Sequence, residues 1–400
     1  MFFQEKLVFP SKDRSNYRIP SIIATKDGTV LAFCNDRKDT LSDHAIYTTL
    51  VYATKAPNGE WTSPEELAGF DGWAFTIGSA VYDAICDTVL VTNYRNPMAR
   101  KEFGTYTDEE KAELDRREQE SIEKAKPFGI HPGAFLLTST DQGKTWSEAP
   151  LQLSSVEQVH SDGSVHTVTG QTHGAAHGIQ LQYGPYKGRL LCASRTCIGT
   201  YIDWDGVRKC VYNNAIYSDD HGKTWKTANC VQLATGEGTL IERADGSILY
   251  NSRAYYQDGK RYLATSTDGG ATYGDFRTDD FLQEEKRIGC NASFIRIPPE
   301  QIQNRNLLPE GAEDVTVFCN PRADTRRNMS ACVSFDSGKT WAFAKTVYDG
   351  PAAYSSLVFN PQDQHFYLMY EKGDDAHPKK LLYTFGISIA EFDLEWLLKQ

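Results

Sequence analysis

The feature that most constrains this chain is an eight-residue segment that occurs four times. The copies are STDQGKTW at 139–146, SDDHGKTW at 218–225, STDGGATY at 266–273 and SFDSGKTW at 334–341. Each follows a β-prone apolar run. In each copy, Asp can accept hydrogen bonds from nearby backbone, Gly permits a positive φ, and the last aromatic residue can fill a gap between strands. The repetition therefore predicts one hairpin turn used in several similar β units.

The spacing of the copies indicates how large each unit is. The intervals are long and uneven, which favours a small sheet per repeat, and a four-stranded propeller blade takes about 40 to 50 residues plus loops. The 400 residues include 21 Tyr, 19 Phe and 31 Gly, which favour strands and turns. We therefore expect residues 1–400 to form a single all-β domain, a six-bladed β-propeller. The longest interval, between the first two copies, is expected to contain a blade whose turn has lost the pattern.

Two segments break the β pattern. Residues 107–126, TDEEKAELDRREQESIEKAK, are rich in helix formers, begin with a Thr107/Glu110 capping box and end before Pro127. This predicts a charged, solvated helix inserted into a loop, which could be a surface ornament, a lid or an oligomer contact. The C-terminal ISIAEFDLEWLL predicts a short helix. It is expected to pack on the body through Leu394, Trp396 and Leu397.

Charge and hydropathy exclude several classes of partner. The net charge of −11 provides no general basic surface for nucleic acid or anionic lipid. No run of 18 or more apolar residues could span a membrane, and the N-terminus lacks the pattern of a signal peptide. The nine Cys form no CxxC pair, and their odd number favours free thiols. We expect a cytoplasmic protein without nucleic-acid or membrane partners.

The N-terminal segment YRIPSIIATKDGTVLAF, residues 17–33, followed by CNDRKDTLSDHA, residues 34–45, resembles the bacterial and animal sialidases. That family has an Arg-Ile-Pro motif in its first blade and the repeated turn, called the Asp-box, in later blades. The resemblance extends from Tyr17 to about Trp396. It implies an exo-sialidase that acts on sialylated glycans, without a cofactor or a metal. It also implies that the four box aspartates are structural; they are Asp141, Asp220, Asp268 and Asp336.

The resemblance implies three arginines that hold the carboxylate of sialic acid. Arg18 of the RIP motif matches the first and Arg253 in GSILYNSR matches the second. For the third, the family's Arg-x-Asn pattern ahead of the box Ser selects Arg326, with Arg327 as the alternative. Arginine suits this role because its planar guanidinium binds a carboxylate through two parallel hydrogen bonds.

The same comparison implies an unusual nucleophile. AAYSSLVFNPQDQHFYLMYE resembles the family segment with a catalytic tyrosine, which here is Tyr354. A neutral Tyr hydroxyl avoids the repulsion that a carboxylate would meet at an anomeric carbon bearing its own carboxylate. Glu237 in GEGTLIERADGSILYNSR matches the base of that tyrosine. The family usually has Pro after this Glu, whereas this chain has Gly238.

The remaining implied residues lie in the first third of the chain. Asp43 matches the general acid, with Asp36 and Asp39 as competitors on the same loop, and Arg37 is expected beside the clamp at the substrate's carboxylate or C4 hydroxyl. Asp83 in GSAVYDAICDTVLV matches a residue that faces the C4 and amide side of the sugar. Its other interpretation is a turn-forming Asp at the end of a strand.

Three alternatives remain open. His173 and His177 have an i, i+4 spacing that would suit a metal on a helix, although the surrounding Gly, Ser and Thr disfavour a helix. A propeller of this kind could also bind sialic acid without catalysis. It could instead transfer the sugar or release an anhydro product, for which Trp204 is a candidate shield of the acceptor side.

Overall fold

The computed structural model describes residues 1–43, 45, 47–97, 106–160, 162–172, 176–201, 203–376 and 386–399. Strands dominate these residues, and three α-helices are present. The all-β prediction is therefore confirmed.

The strands and helices follow one another in chain order. The first group is β1 (Phe3–Pro10), β2 (Tyr17–Ala24), β3 (Val30–Arg37), β4 (Thr48–Lys55), β5 (Glu65–Ala68), β6 (Ala74–Asp83), β7 (Thr88–Asn96), α1 (Asp108–Ala125), β8 (Gly133–Ser139) and β9 (Ser147–Pro150). The second is β10 (Leu153–Ser154), β11 (Val156–Val159), β12 (Val165–Val168), β13 (Ile179–Gln180), β14 (Leu190–Cys197), α2 (Trp204–Cys210), β15 (Val211–Ser218) and β16 (Trp225–Thr227). The third is β17 (Thr235–Glu242), β18 (Ile248–Ala254), β19 (Lys260–Ser266), β20 (Gly274–Gln283), β21 (Ser293–Ile297), β22 (Val315–Pro321), β23 (Arg327–Ser334), β24 (Phe343–Asn360), β25 (His365–Lys372), β26 (Gly386–Asp393) and α3 (Leu394–Leu398).

These strands form five sheets with mostly antiparallel neighbours. The orders are β2-β3-β4-β6-β7-β8-β9 with β5 on β4, then β10-β16-β15-β14-β13, β11-β12, β17-β18-β19-β20, and β1-β26-β25-β24-β23-β22-β21. In the last sheet the N-terminal strand β1 pairs with β26, so the two ends of the chain are joined by backbone hydrogen bonds.

Strands from different sheets also pack on one another. The strand β2 contacts β6 and β24, β17 contacts β14 and β21, and β21 contacts β24. Apolar side chains on opposite faces of a strand enter different buried clusters. One of these clusters contains Ile19, Phe33, Ile77 and Tyr354. Residues from the two ends of the chain therefore share one core.

The aspartate of the repeated turn accepts the same threonine hydrogen bonds in all four copies. In the first copy, Asp141 accepts from the Thr145 amide at 2.9 Å and from the Thr145 hydroxyl at 2.6 Å, and Ser139 Oγ donates to Asp141 at 2.8 Å. The Trp146 indole donates to the carbonyl of Gly143 at 3.1 Å. Asp220, Asp268 and Asp336 accept the corresponding bonds in the other copies. The box aspartates are thus engaged in closing turns.

The two predicted helices are present. The helix α1 has the Thr107/Glu110 capping box, and near its end Ala125 and Ile122 pack against Trp73 and Phe75. The helix α3 buries Leu394 and Leu397, while Trp396 is partly buried against the same core. Among the described residues, no helix combines the length and the apolar character needed to cross a membrane.

The longest interval between boxes differs from the prediction. The copies at 139–146 and 218–225 follow β8 and β15. Between them, much of the extra length is the separate antiparallel pair β11 and β12. The expectation of a further blade in this interval is wrong, because a two-stranded hairpin accounts for the added residues.

Candidate active site

Residues from distant parts of the chain meet at one end of the sheets. Arg18 is at the start of β2, Glu237 is near the start of β17, Arg253 is near the end of β18, and Tyr354 lies within β24. Glu237 and Arg253 are neighbours because β17 and β18 are antiparallel, with Gly238 opposite Ser252. Strand pairing therefore brings the start of one strand and the end of the next to the same place.

Tyr354 is at the centre of this cluster. Its hydroxyl donates to Oε1 of Glu237 at 2.6 Å. Arg253 Nη1 donates to the Tyr354 oxygen at 2.5 Å and also forms a short ion pair with Oε2 of Glu237. All three side chains are buried. One carboxylate thus holds both a phenol and a guanidinium in fixed positions.

Three arginines surround the Tyr354 ring at nearly equal distances. The guanidinium carbons of Arg18, Arg253 and Arg326 lie 5.6, 5.7 and 5.5 Å from the ring centroid. Arg326 is also fixed by donating to the carbonyl of Gly289 at 3.1 Å. Arg327 instead points to the exposed Asp375, 2.5 Å away. Of the two arginines left open by the sequence, the structure places Arg326 at the cluster.

Irregular strand pairing accompanies these residues. The register shifts between Arg18 and Ser21 in β2, between Thr235 and Gly238 in β17, and between Ala352 and Ser355 in β24. An extra residue in one strand bends it and re-aims the side chains beside it. Ile19, which follows Arg18, has φ of 64°, an uncommon value for a β-branched residue. The strands are thus locally distorted where the site side chains are presented.

Glu371 is a site residue that sequence reasoning missed. Its buried Oε1 accepts from Arg18 Nε at 2.6 Å and from the Ile19 amide at 2.9 Å, and its Oε2 accepts from the Tyr354 amide at 3.3 Å. It therefore holds both the first clamp arginine and the backbone of the tyrosine. The signal was weak: Glu371 follows the strand residues YLMY, and nothing local marks a partner more than 350 positions away.

Arg195 is a second missed residue. It lies near the end of β14, opposite Asn213, and its positive charge helps to lower the pKa of Glu237. Burial acts to lower the pKa of Arg195, but Tyr255, Glu237 and two further tyrosines together bring this pKa above its ordinary value. A fourth arginine therefore adds positive potential to the cluster.

Asp43 forms an ion pair with Arg37 at the edge of the site. The two side chains form an ion pair of 2.7 Å, in which Arg37 is buried and Asp43 is 62% exposed. The two competing carboxylates are engaged elsewhere: Asp36 accepts from the amide of Asn16 at 3.1 Å, and Asp39 pairs with Arg14 at 2.6 Å. Of the three acids on this loop, Asp43 is the one paired with Arg37.

The electrostatics set the protonation of the central pair. Burial raises the pKa of Tyr354 well above its ordinary value, and Glu237 raises it further although Arg253 opposes the shift. Burial works against ionisation of Glu237, but Arg253 and the hydrogen bond from Tyr354 bring the pKa of this carboxyl below its usual value. At neutral pH the cluster therefore contains a protonated phenol beside an ionised carboxylate.

Asp83 is not part of this cluster. Arg37 pairs with Thr48, and Thr48 pairs with Ala74, so the start of β6 lies beside the site. Asp83 is at the other end of β6, roughly 30 Å from Ala74 along the extended strand. Its buried carboxylate accepts from the amides of Ile85 and Cys86 in the following turn. The expectation that Asp83 faces the sugar is wrong, and the turn-forming interpretation explains the residue.

Gly238 leaves room for a neighbouring aromatic ring. A Cβ at this position would lie 2.2 Å from Cε1 of Tyr250, a fully buried residue of β18. The ring of Tyr250 thus occupies the space that a larger residue after Glu237 would need. This explains physically why the position after Glu237 is glycine.

His177 lies away from the cluster, and His173 is outside the described residues. His177 is buried, its Nδ1 lies 3.4 Å from Ser356 Oγ, and burial lowers its pKa to about 4. It lines a cavity of about 630 Å³ with Glu242 and Arg296, at the strand ends opposite the cluster. This cavity is therefore separate from the place where the arginines and the tyrosine meet.

Comparison with known proteins finds relatives along most of this chain. Residues 121–366 match the BNR repeat-like domain. A sialidase of Micromonospora viridifaciens is 29% identical over 392 residues, covering 96% of this chain and 52% of the relative. A sialidase of Paraclostridium sordellii is 26% identical over 369 residues, covering 84% of each chain. The structure of the Hadza microbial sialidase Hz136 superimposes with a TM-score of 0.68 at 21% identity, covering 95% of this chain and 66% of the other.

The matches differ in how much of each chain they cover. The chain spans about half the length of the Micromonospora relative, at 52%. The domain match nevertheless covers more than half of this chain, and the sialidase relatives align with most of it. The chain therefore belongs to the sialidase family and contains its BNR repeat-like domain.

Proposed function

We propose that this protein is an exo-sialidase that removes terminal α-linked sialic acids from glycoconjugates or oligosaccharides with retention of configuration. The observation that carries this proposal is the placement of three guanidinium groups 5.5 to 5.7 Å from the ring of a tyrosine whose hydroxyl donates to a buried carboxylate. A sugar acid with its carboxylate on the anomeric carbon requires both features at one point.

The arginines Arg18, Arg253 and Arg326 would bind the carboxylate of the sugar. Arginine is always charged, and charge-assisted hydrogen bonds to a carboxylate are among the strongest available in proteins. The buried Glu371 holds Arg18, the buried Glu237 holds Arg253, and the Gly289 carbonyl holds Arg326. The clamp is thus pre-organised before substrate arrives, which reduces the entropy lost on binding.

Tyr354 would be the nucleophile and Glu237 its base. The Tyr354 oxygen attacks the anomeric carbon while its proton moves to Oε1 of Glu237, and the bond to the leaving-group oxygen breaks. Water then attacks the same carbon, and Tyr354 regains a proton as the second inversion restores the starting configuration. The neutral phenol avoids repulsion from the substrate's carboxylate, and the arginines stabilise the phenolate as it forms.

Asp43 would supply the proton to the leaving group. Its side chain is exposed and paired with the buried Arg37, and its charge acts on the Tyr354 phenol. A bound substrate carboxylate competes with Asp43 for this arginine. Asp43 could then carry a proton to the glycosidic oxygen and later take one from the attacking water.

We further propose that residues 1–400 form one propeller of six blades. The strand groups that support this are β2-β3-β4, β6-β7-β8-β9, β13-β14-β15-β16, β17-β18-β19-β20, β21-β22-β23 with the first half of β24, and the second half of β24 with β25, β26 and β1. Contacts among the first strands of these groups run around a ring, with β2 touching both β6 and β24. Such a ring would explain how positions 18 and 354 meet.

One observation favours a variant reaction. The ring of Trp204 lies 5.7 Å from the ring of Tyr255, and Tyr255 lies under the guanidinium of Arg253 at 5.3 Å. An aromatic wall beside the clamp could exclude water and favour attack by a sugar hydroxyl. Transfer or anhydro-product formation would use the same catalytic residues.

The test is hydrolysis of the α-linked umbelliferyl glycoside of N-acetylneuraminic acid, with the Kdn analogue in parallel. We expect wild type to release the fluorophore and Tyr354→Phe to lose about 10³-fold or more of kcat. Chromatography of the sugar product separates free sialic acid, the expected result, from an anhydro sugar. Binding of free sialic acid without turnover of either glycoside would replace the proposal with a non-catalytic binding propeller.

A further inference from the structure

A cluster of three different ligand types lies at the end of the sheets opposite the candidate active site. Asp83 ends β6, Cys86 is in the turn that follows, and His221 is in the second Asp-box turn after β15. Their ligand atoms all lie within 4.8 Å of one another. The cluster spans two sheets, because β6 and β15 belong to different ones.

The carboxylate of Asp83 is fixed in orientation. Its Oδ1 accepts from Gln180 Nε2 at 2.7 Å and from the amides of Ile85 and Cys86 at 3.0 and 3.1 Å. Its Oδ2 faces His221 Nδ1 at 2.7 Å. Asp83 is fully buried, whereas the His221 side chain is 38% exposed. One carboxylate oxygen is thus anchored, while the other points to a place that solvent ions can reach.

The other Asp-boxes provide an internal comparison. The residues at the position of His221 are Gln142, Gly269 and Ser337. Gln142 donates to Asp87 at 3.4 Å, and Ser337 Oγ donates to Asp314, so a simple polar tie to a nearby acid is the usual role of this position. An amide or a hydroxyl is sufficient to donate such a hydrogen bond. This role does not explain why the second box has an imidazole close to a thiol.

We propose that Asp83, Cys86 and His221 form a binding site for a divalent transition metal of the zinc type. A thiolate, an imidazole and a carboxylate are preferred zinc ligands, and three protein ligands with water in the fourth position are common. A thiolate ligand disfavours Ca²⁺ and Mg²⁺, which take oxygen. The site is independent of the sialidase proposal.

Binding requires only small movements. Tetrahedral zinc with Zn–N and Zn–O bonds near 2.1 Å would hold the His221 and Asp83 atoms about 3.4 Å apart. Their 2.7 Å contact must therefore open slightly, while the Cys86 sulfur moves inward. The Cys86 thiol loses its proton to solvent, the Nδ1 proton of His221 passes to Nε2, and water completes the coordination.

The consequence is a metal link between two sheets, remote from the cluster around Tyr354. A ligand that binds only the folded chain stabilises it by an amount that grows with the logarithm of its concentration over Kd. Zinc should therefore raise the melting temperature and leave turnover unchanged.

The test uses full-length protein treated with a chelator and titrated with Co²⁺. One equivalent should produce a thiolate-to-cobalt charge-transfer band in the near ultraviolet together with visible bands of tetrahedral cobalt. Cys86→Ser should abolish the charge-transfer band, and His221→Gln, which copies the first box, should weaken cobalt binding at least tenfold. Cys230→Ser, which changes a thiol outside the cluster, should leave both unchanged.

A thermal measurement complements the titration. Zinc should raise the melting temperature of wild type and of Cys230→Ser, but not of Cys86→Ser. Because Cys86 is exposed, its serine variant should fold normally. Absence of the charge-transfer band in wild type, or its persistence in Cys86→Ser, would overturn the proposal.

Discussion

The hydroxyl of Tyr354 donates a 2.6 Å hydrogen bond to Glu237, a residue 117 positions earlier in the chain. The pair is buried, and Arg253 touches both partners. Since the pKa of Glu237 is lowered and that of Tyr354 is raised, the proton rests on the phenol in the absence of substrate. This one contact determines which group can be base and which can be nucleophile.

The first prediction concerns Glu237. Replacement by Gln keeps the shape but removes the acceptor of the Tyr354 proton, so kcat should fall about 10² to 10⁴-fold. Because the pKa of Glu237 is depressed, the carboxylate of wild type remains ionised well into the acid range. The deficit should therefore be constant from neutral pH to about pH 5. Steady-state kinetics across this range measure it.

Glu242→Gln is the matched control for that experiment. Glu242 is a buried glutamate at the other end of β17, and it accepts from the amides of Gln182 and Tyr183. Its variant should lose stability but retain kcat. Equal loss of kcat in both variants would show that Glu237 acts only through folding.

Two adjacent arginines offer a sharp test of the clamp. Arg326→Lys should raise KM about tenfold or more, since lysine keeps the charge but cannot form the bidentate pair with a carboxylate. Arg327→Lys should change KM little, because its partner Asp375 is exposed and surface pairs contribute little. Calorimetric binding of an unsaturated sialic acid analogue gives the same comparison without turnover. A larger effect at Arg327 would assign the third clamp position to that residue.

Glu371 is predicted to be a positioning residue. Glu371→Gln leaves Arg18 without its charged partner, so the arginine is less well aligned and KM should rise about tenfold. Breaking a buried pair should also lower the free energy of unfolding by about 3 kcal/mol. Glu391→Gln, in the adjacent strand, should leave KM unchanged. A drop in stability without any change in KM would reduce Glu371 to a structural role.

The Asp-box carboxylates should contribute stability that depends on pH. Hydrogen bonds from Thr145, Ser139 and Lys144 lower the pKa of Asp141 from 3.8 to about 2. Because the pKa is lower in the folded state, the stabilisation is complete above the unfolded value and is lost as pH falls from about 4 to about 2. Asp141→Asn should therefore melt at a lower temperature than wild type at pH 7.

The gap between the two melting temperatures should narrow toward pH 3, whereas kcat at neutral pH should be unaffected because Asp141 is remote from Tyr354. Scanning calorimetry at several pH values measures this gap. A gap that widens on acidification would contradict the sign of the shift.

The turns and the helices could be predicted from sequence because their signals are local. The box residues bond within five positions of one another, as Asp141 does with Thr145, and the Thr107/Glu110 cap is equally short in range. Resemblance to a family supplied candidates such as Tyr354 and Arg253. Neither source could predict Glu371, because its bond to Arg18 depends on how β2 and β25 come together across the fold.

Asp83 shows the opposite problem. The motif around it suggested a sugar-facing role, yet the direction of β6 places the residue at the far end of its sheet. Which end of a strand faces a site is decided by its pairing, and the pairing of β4 with β6 is parallel at a single position. A local pattern contains no information about that choice.

The most direct test of the central claim is covalent trapping with a sialic acid that bears fluoride at C2 and a second fluorine at C3. Fluoride leaves readily, and the second fluorine slows hydrolysis of the glycosyl-enzyme. Mass spectrometry of the digested protein should find one sugar per chain on the peptide containing Tyr354, and none on Tyr354→Phe. Attachment to another residue, or turnover of the natural glycoside without any trapped tyrosine, would contradict the account.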